Sequence, residues 1–201
     1  MLRLFRRATG PKPIPEAELA RRLTASGYRC ACCDAVVDAA FAVRLRPFGW
    51  TQAPAPQPDS AIEGTGDVIT ENYARRGRDV LVRAHLPIPV RDTDDHVFLS
   101  VWANLSTGDF ARFKSAQARG DADRLGDLAA WLYARIPASS GPVLSKGVVV
   151  PVAGGAMPVF WITDPKHPLH AAQQDGGMTA TDIAALYEDL GAGDILSHLR
   201  A

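Results

Sequence analysis

The residues best suited to chemistry are three cysteines, Cys30, Cys32 and Cys33, which are the only cysteines in the sequence. Cys30 and Cys33 have the Cys-x-x-Cys spacing of a zinc knuckle, in which a tight turn points two thiolates at one ion. The same spacing occurs in thiol-redox proteins, although the residues after Cys33 show no clear helix cap and do not look thioredoxin-like. A third interpretation is that these are small residues in a turn or core, with no chemistry.

A closed zinc site requires four ligands, and the sequence contains no second Cys-x-x-Cys. His167 and His170 are spaced as a His-x-x-His pair and are the candidates for the other two positions. A Cys2His2 site would therefore use Cys30, Cys33, His167 and His170, with zinc as the metal. The alternative is that the segment around His167 orients the last helix, and that His167 or Gln173 bonds backbone amides.

Motifs of the common enzyme classes are absent from the sequence. It has no glycine-rich phosphate loop, no Gly-x-Ser-x-Gly elbow and no His-Glu-x-x-His. We therefore expect a non-catalytic binding or interaction protein. A zinc- or thiol-dependent enzyme or sensor built on Cys30 and Cys33 is the alternative, and the sequence alone does not decide whether the protein is an enzyme.

Composition narrows the classes of partner. The chain has 201 residues, 47% of them hydrophobic and 22% charged, with a formal net charge of zero. A nucleic-acid-binding protein usually has a basic excess, so no nucleic acid partner is expected, and neither is adhesion to anionic membranes. The sequence shows no secretory signal and no apolar run long enough to span a membrane, which predicts a cytoplasmic protein. A homodimer is permitted by the apolar last helix and by an edge strand.

Hydrophobic periodicity predicts the elements that must position these residues. Residues 1–27 are expected to be an N-terminal extension with a short helix, and residues 28–201 a single domain. Residues 78–90 and 96–105 are predicted to form a hairpin of two strands, because apolar residues alternate in the first and run continuously in the second. The alternating positions in the first strand are Val80, Val82, Ala84, Leu86 and Ile88.

Further elements follow along the chain. Residues 40–48 are predicted to be a strand, and residues 47–60 a proline-rich loop that includes Trp50. A helix is predicted after Ser106, another over residues 121–137, a hairpin over 146–162 and a last helix over 179–191. The tryptophans are interpreted mainly as core residues. The predicted fold is α+β, an antiparallel sheet built from hairpins with helices packed mainly on one face.

Several motifs in a fixed order resemble the bacterial family called domain of unknown function 2199 (DUF2199). They are Cys30 and Cys33, Ile88-Pro89-Val90, Val101-Trp102 with Leu105-Ser106 and Phe110, and His167-Pro168-Leu169 with a downstream Gln and Gly. The resemblance covers about residues 28–190. It implies the same fold and brings no established reaction.

Two departures from the family pattern bear on the candidate site. In the family the second cysteine is often followed by Gly and then, two residues further on, by His, whereas Asp34, Ala35 and Val36 follow Cys33 here. The acidic residue of the family before the Gln is replaced by Ala171 or Ala172. Because Cys32 does not fit the family spacing, it is interpreted as incidental, and the cluster is interpreted as a knuckle that has lost part of its ligand set.

Overall fold

The computed structural model describes residues 14–47, 54–134, 136 and 144–201. These residues form five α-helices and nine strands. In chain order they are α1 (Glu16–Thr24), β1 (Tyr28–Arg29), β2 (Val36–Val37), β3 (Val68–Ile69), β4 (Tyr73–Arg76), β5 (Asp79–Pro89), β6 (His96–Leu105), α2 (Thr107–Arg119), β7 (Leu128–Tyr133), β8 (Leu144–Val150), β9 (Val159–Ile162), α3 (Pro168–Ala171), α4 (Ala180–Asp189) and α5 (Gly193–Arg200). In the described part of the chain, no helix is both long and apolar enough to cross a bilayer.

Strands β5 to β9 close into a five-stranded barrel. Consecutive strands pair antiparallel, and β9 returns to β5 in a parallel pairing at Val159 and His85. Closure is feasible because β5 is long enough for one of its edges to pair with two strands, first β4 and then β9. The Arg83 amide on that edge donates to the β3–β4 turn at Asn72 O (2.8 Å), and the His85 amide donates to Pro158 O (2.8 Å). The predicted α+β class is confirmed, but an open antiparallel sheet with helices mainly on one face is wrong.

Alternating side chains fill the barrel. The five positions predicted to share one face of β5 are all buried, which confirms that strand and its orientation. Gly147 of β8 sits opposite the ring of Phe160, and a Cβ built at Gly147 would lie 2.3 Å from Phe160 Cζ and 2.4 Å from Trp161 O. A glycine is therefore required there, because any side chain would collide with the ring that fills the barrel.

The helix predicted over residues 121–137 is wrong. A 3-10 turn at Ala122–Leu125 ends at Gly126, and the chain then continues as β7. Leu128 and Leu132 are four residues apart, a spacing that fits one face of a helix as well as one face of a strand. Pairing with β6 and β8 selects the strand, and Trp131, interpreted as core, is 43% exposed on its outer face.

The strand predicted over residues 40–48 is also wrong within its described part. Ala39–Phe41 forms a 3-10 turn, and pairing is limited to one bridge between Arg44 and Ser100 of β6. The segment then covers the outer face of the barrel, where the indole Nε1 of Trp102 donates to Leu45 O at 3.1 Å. Trp102 is buried as predicted. The predictions for Phe48 and Trp50 lie outside the described residues.

Helices α2 and α4 begin where the sequence predicted. Ser106 caps α2 by accepting from the Asp109 amide (3.0 Å), and Thr179 caps α4 in the same way with Asp182 (3.0 Å). Helix α2 packs on β5 and β6, whereas α1, α4 and α5 pack against one another. Their shared core is made of buried apolar residues: Leu19, Leu23, Ile183, Leu186, Leu196 and Leu199. This helical group brings the C-terminal end of the described chain beside the N-terminal cysteine loop.

Candidate metal centre

The three cysteines lie in the loop of a small hairpin formed by β1 and β2. Tyr28 pairs with Val37 and Arg29 with Val36, so the chain must reverse direction over six residues. The reversal is held by the Asp34 amide donating to Cys30 O (2.9 Å) and by the Cys30 amide donating to Ala35 O (2.9 Å). This compact turn points the cysteine side chains to one side, as a knuckle requires.

Asp34 adopts a left-handed backbone conformation, with φ of 61°. Asp tolerates this region better than most non-glycine residues, although Gly is the usual choice. This is the position where the family pattern has Gly, so the departure in residue type leaves the turn itself in place. Arg29 Nη1 lies 2.9 Å from Asp34 Oδ2, but both side chains are exposed and the ion pair adds little stability.

Four side chains of the types that can ligate a metal meet at this loop: Cys30, Cys32, Cys33 and His198. Their ligand atoms all lie within 4.8 Å of one another. The Cys30 and Cys32 sulfurs are 3.0 Å apart, and Cys33 Sγ is 3.5 Å from His198 Nδ1. In a tetrahedral site with Zn–S bonds of about 2.3 Å, ligand atoms are about 3.8 Å apart. The two contact distances are somewhat shorter than that value and all four ligand atoms lie within 4.8 Å of one another, so the four groups can surround one ion after small rotations.

Helix α5 supplies the histidine. Leu196 and Leu199 are buried and anchor the helix, which leaves His198 half-buried and facing the cysteine loop. Arg22 of α1 fixes the relative position of the two parts. Its Nη1 donates to Leu199 O at 2.6 Å, and its guanidinium lies 5.3 Å from the centre of the Tyr28 ring in β1. One arginine therefore joins α1, α5 and the cysteine hairpin.

The sulfur atoms are electrostatically coupled. A hydrogen bond from the Cys32 thiol lowers the pKa of Cys30 to about 6, against the opposing effect of burial. The same hydrogen bond and a second one with Cys33 raise the pKa of Cys32 to about 11. One thiolate is thus stabilised by its neighbours, and further deprotonation is opposed by the negative charge already present. A divalent cation between the sulfurs would remove that repulsion and hold all three as thiolates.

The residues predicted from sequence divide between two regions. Cys30 and Cys33 lie in the cluster, whereas His167 and His170 are not among its members. His167 is buried at the start of α3, where its Nδ1 accepts from the Leu169 amide at 3.2 Å. Gln173 donates to Phe160 O (2.9 Å) and accepts from the Ile162 amide (2.8 Å). The interpretation that His167 and Gln173 bond backbone amides is therefore confirmed.

A protein-family model matches the larger part of the chain. The model of DUF2199, described as an uncharacterized protein conserved in bacteria, matches residues 29–177. The chain belongs to DUF2199. No curated protein and no solved structure matches it. The DUF2199 match includes all three cysteines and the whole barrel, but it ends before α4 and α5.

Sequence reasoning missed Cys32 and His198. Cys32 was set aside because only Cys30 and Cys33 fit the DUF2199 spacing, yet its sulfur is in contact with that of Cys30. His198 lies outside the matched region, in a helix that follows the last one predicted from sequence. The available signal was the position of His198 between Leu196 and Leu199, which marks a helix whose buried face lies next to a histidine.

Proposed function

We propose that this DUF2199 protein binds one zinc ion through Cys30, Cys32, Cys33 and His198. The observation that carries the proposal is the convergence of four ligand atoms from two distant parts of the chain within 4.8 Å. Three thiolates and one imidazole form a Cys3His set, which is typical of structural zinc sites. Because all four positions are taken by protein atoms, no position is left for a substrate or a reactive water.

The proposed zinc has a structural role, so the protein as a whole is proposed to be a non-catalytic binding protein. The ion would fasten α5 to the hairpin of β1 and β2 and thereby hold the helical group against the barrel. Such a site needs reduced cysteines, which is the state that thiols have in the cytoplasm. This supports the cytoplasmic location that the sequence predicts.

Metal analysis of protein purified without a metal-affinity tag tests the proposal. We expect about one zinc per chain, because a closed Cys3His site binds zinc tightly at neutral pH. Cys33→Ser and His198→Ala should each lose the metal. His170→Ala is the matched control, since His170 is also half-buried but lies outside the cluster. Failure of the unaltered protein to retain zinc after equimolar addition would refute the proposal, and loss of zinc in His170→Ala alone would return the site to the ligands predicted from sequence.

A thiol-based sensor is the second candidate, favoured by the 3.0 Å separation of the Cys30 and Cys32 sulfurs. Glutathione disulfide would oxidise the two thiols to one disulfide and would itself be reduced to two molecules of glutathione. Mass spectrometry after this treatment distinguishes the candidates. A Cys30–Cys32 disulfide in protein that binds no zinc supports the sensor, whereas zinc-loaded protein that resists oxidation supports the structural site.

A further inference from the structure

A groove of about 720 Å³ lies between α2 and the hairpin of β4 and β5, separate from the cysteine cluster. One wall is a face of α2, whose residues recur at helical spacing: Thr107, Phe110, Ala111, Lys114, Ser115 and Ala118. The other wall is formed by a 3-10 turn (Asp59–Glu63), by β4 and by the start of β5. The volume is in the range of small-molecule sites in proteins.

The floor of the groove is apolar. Ile62, Val80 and Phe110 line it, and each is buried with at most 9% exposure. The Phe110 ring is held in place by an edge-to-face contact with Tyr73, with ring centres 5.7 Å apart. A rigid aromatic floor of this kind suits the flat or aliphatic body of a small molecule.

The rim of the groove is cationic. Arg75, Arg78 and Lys114 line it, and Glu63 is the one carboxylate among the lining residues. The whole chain has no net charge, so this local excess of two positive charges is a property of the groove. Cations converging on a concave surface raise the local concentration of anions.

Arg75 has an unused donor. Its Nε donates to Gly66 O (2.9 Å) and its Nη1 to Ile62 O (2.8 Å), which fixes the guanidinium plane. The Nη2 atom is shielded from solvent and has no hydrogen-bond partner among the described residues. A shielded donor without an acceptor is unfavourable, and an anionic group in the groove would supply the acceptor.

Lys114 is paired with Glu63 across the groove. The Glu63 side chain is 70% exposed, so solvent screens the pair and it is easily exchanged. Glu63 therefore competes with any anion for the Lys114 ammonium group. Replacing Glu63 should therefore strengthen anion binding, whereas replacing the cations of the groove should weaken it.

We propose that this groove binds a small organic anion, with its apolar body on Phe110 and Val80 and its carboxylate or phosphate among Arg75, Arg78 and Lys114. The site is independent of the proposed zinc function, because none of its residues belongs to the cysteine cluster. Both a buried body and a charged head are needed, so neither part alone should bind well.

Isothermal titration calorimetry with four probes tests this, using the whole 201-residue chain. Phenyl phosphate and phenylacetate carry both parts, phenol carries only the body, and inorganic phosphate carries only the charge. We expect a Kd of about 1 mM or tighter for at least one of the first two, and at least about tenfold weaker binding for the last two. The preferred head group then follows from comparing phenyl phosphate with phenylacetate. Equal binding of phenol and the anions, or no binding of either anion, would overturn the proposal.

Charge substitutions locate the binding to the groove. The double variant Arg78→Gln with Lys114→Gln should weaken binding of the better anion about tenfold, and the double variant Arg112→Gln with Arg119→Gln, at exposed positions of α2 outside the groove, is the control with the same charge change. Glu63→Gln should tighten binding about threefold, whereas Glu71→Gln, outside the groove, should leave it unchanged. If the variants and their controls shift affinity equally, the anion binds elsewhere and the proposal fails.

Discussion

Individual side chains show what the sequence could and could not predict about the candidate site. The chemistry of Cys30 and Cys33 could be predicted, because ligand type and local spacing are properties of the sequence. The participation of His198 could not, because it lies 165 positions after Cys33 and meets it only when α5 is packed. His167, a plausible ligand by spacing, instead caps a helix, since its neighbouring amides need an acceptor.

His167 should make stability depend on pH. Burial lowers its pKa below the usual 6.5, with His170 adding to that effect and Asp164 opposing it. As the pH falls, His167 is therefore protonated in the unfolded chain before it is protonated in the folded protein. Stability that is present above about pH 6.5 is lost as the pH falls below that value. His167→Asn keeps a capping acceptor but does not titrate. Urea unfolding at several pH values should show a shallower loss of stability below about pH 6.5 in the variant.

The difference between the two curves of stability against pH reports on His167, because every other titrating group is common to the variant and the unaltered protein. His85, whose pKa is also lowered by burial and by Arg44, contributes equally to each curve. Parallel curves for the variant and the unaltered protein would show that His167 has no linkage to folding. A variant that is less stable by the same amount at every pH would report only on the cap.

Helices and strands were predicted well where the pattern of apolar residues in the sequence fits only one kind of element. Strands β5 and β6 have long periodic or continuous apolar runs, and α2 and α4 have capping residues before an apolar face. The failures are segments whose apolar spacing fits two periods or whose structure depends on distant partners. Strand β7 belongs to the first kind, and α5, which follows the last helix predicted from sequence, belongs to the second.

Helices α1 and α5 provide a matched test of how the site is assembled. Arg22 is 17% exposed and reaches Leu199 O, whereas Arg21 is 63% exposed and both arginines bond Glu18. Arg22→Met should destabilise the protein by about 1–2 kcal/mol, because the carbonyl of α5 loses a charged donor. Arg21→Met should change stability by about 0.5 kcal/mol or less, as exposed ion pairs do. Thermal unfolding of the two variants measures both.

Arg22→Met should also weaken zinc binding, since the same side chain fixes α5 against the cysteine hairpin. A competition titration with a zinc chelator gives this affinity, and Arg21→Met provides the reference. If the two variants lose equal stability and equal zinc affinity, the bridge between α1, α5 and Tyr28 has no positioning role.

The whole molecule combines two ways of joining distant parts of the chain. The barrel is closed by the pairing of β5 with β9, and the helical group is fastened to the cysteine hairpin by the proposed zinc. The first depends on apolar packing and backbone hydrogen bonds, so it does not require the metal. The DUF2199 match covers the barrel but not α5. The end of the match therefore lies between the barrel and this helix of the helical group.

Removal of zinc should therefore loosen one part of the protein and leave the other in place. A chelator should lower the temperature at which the helical group unfolds by about 10 °C, since a ligand at a thousandfold excess over its Kd contributes about 4 kcal/mol to the transition that releases it. Hydrogen exchange should quicken in α1 and α5, while the amides of β5 and β6 stay protected. Cys33→Ser treated with the same chelator should show no further change. Uniform loss of protection across the barrel would contradict a local role for the ion.

Barrel closure also limits how two copies of the protein could associate. Among the described residues, strands β5 to β9 pair around the ring, so the free edge of this sheet at the other end is β3, which has two residues and is followed by a bridge between Gln57 and Thr70. An edge this short is a poor template for adding a strand from another chain. A homodimer, which the sequence permits and no observation tests, would have to form through side chains. The described part of the seven-stranded sheet therefore offers little edge for aggregation between copies at high concentration.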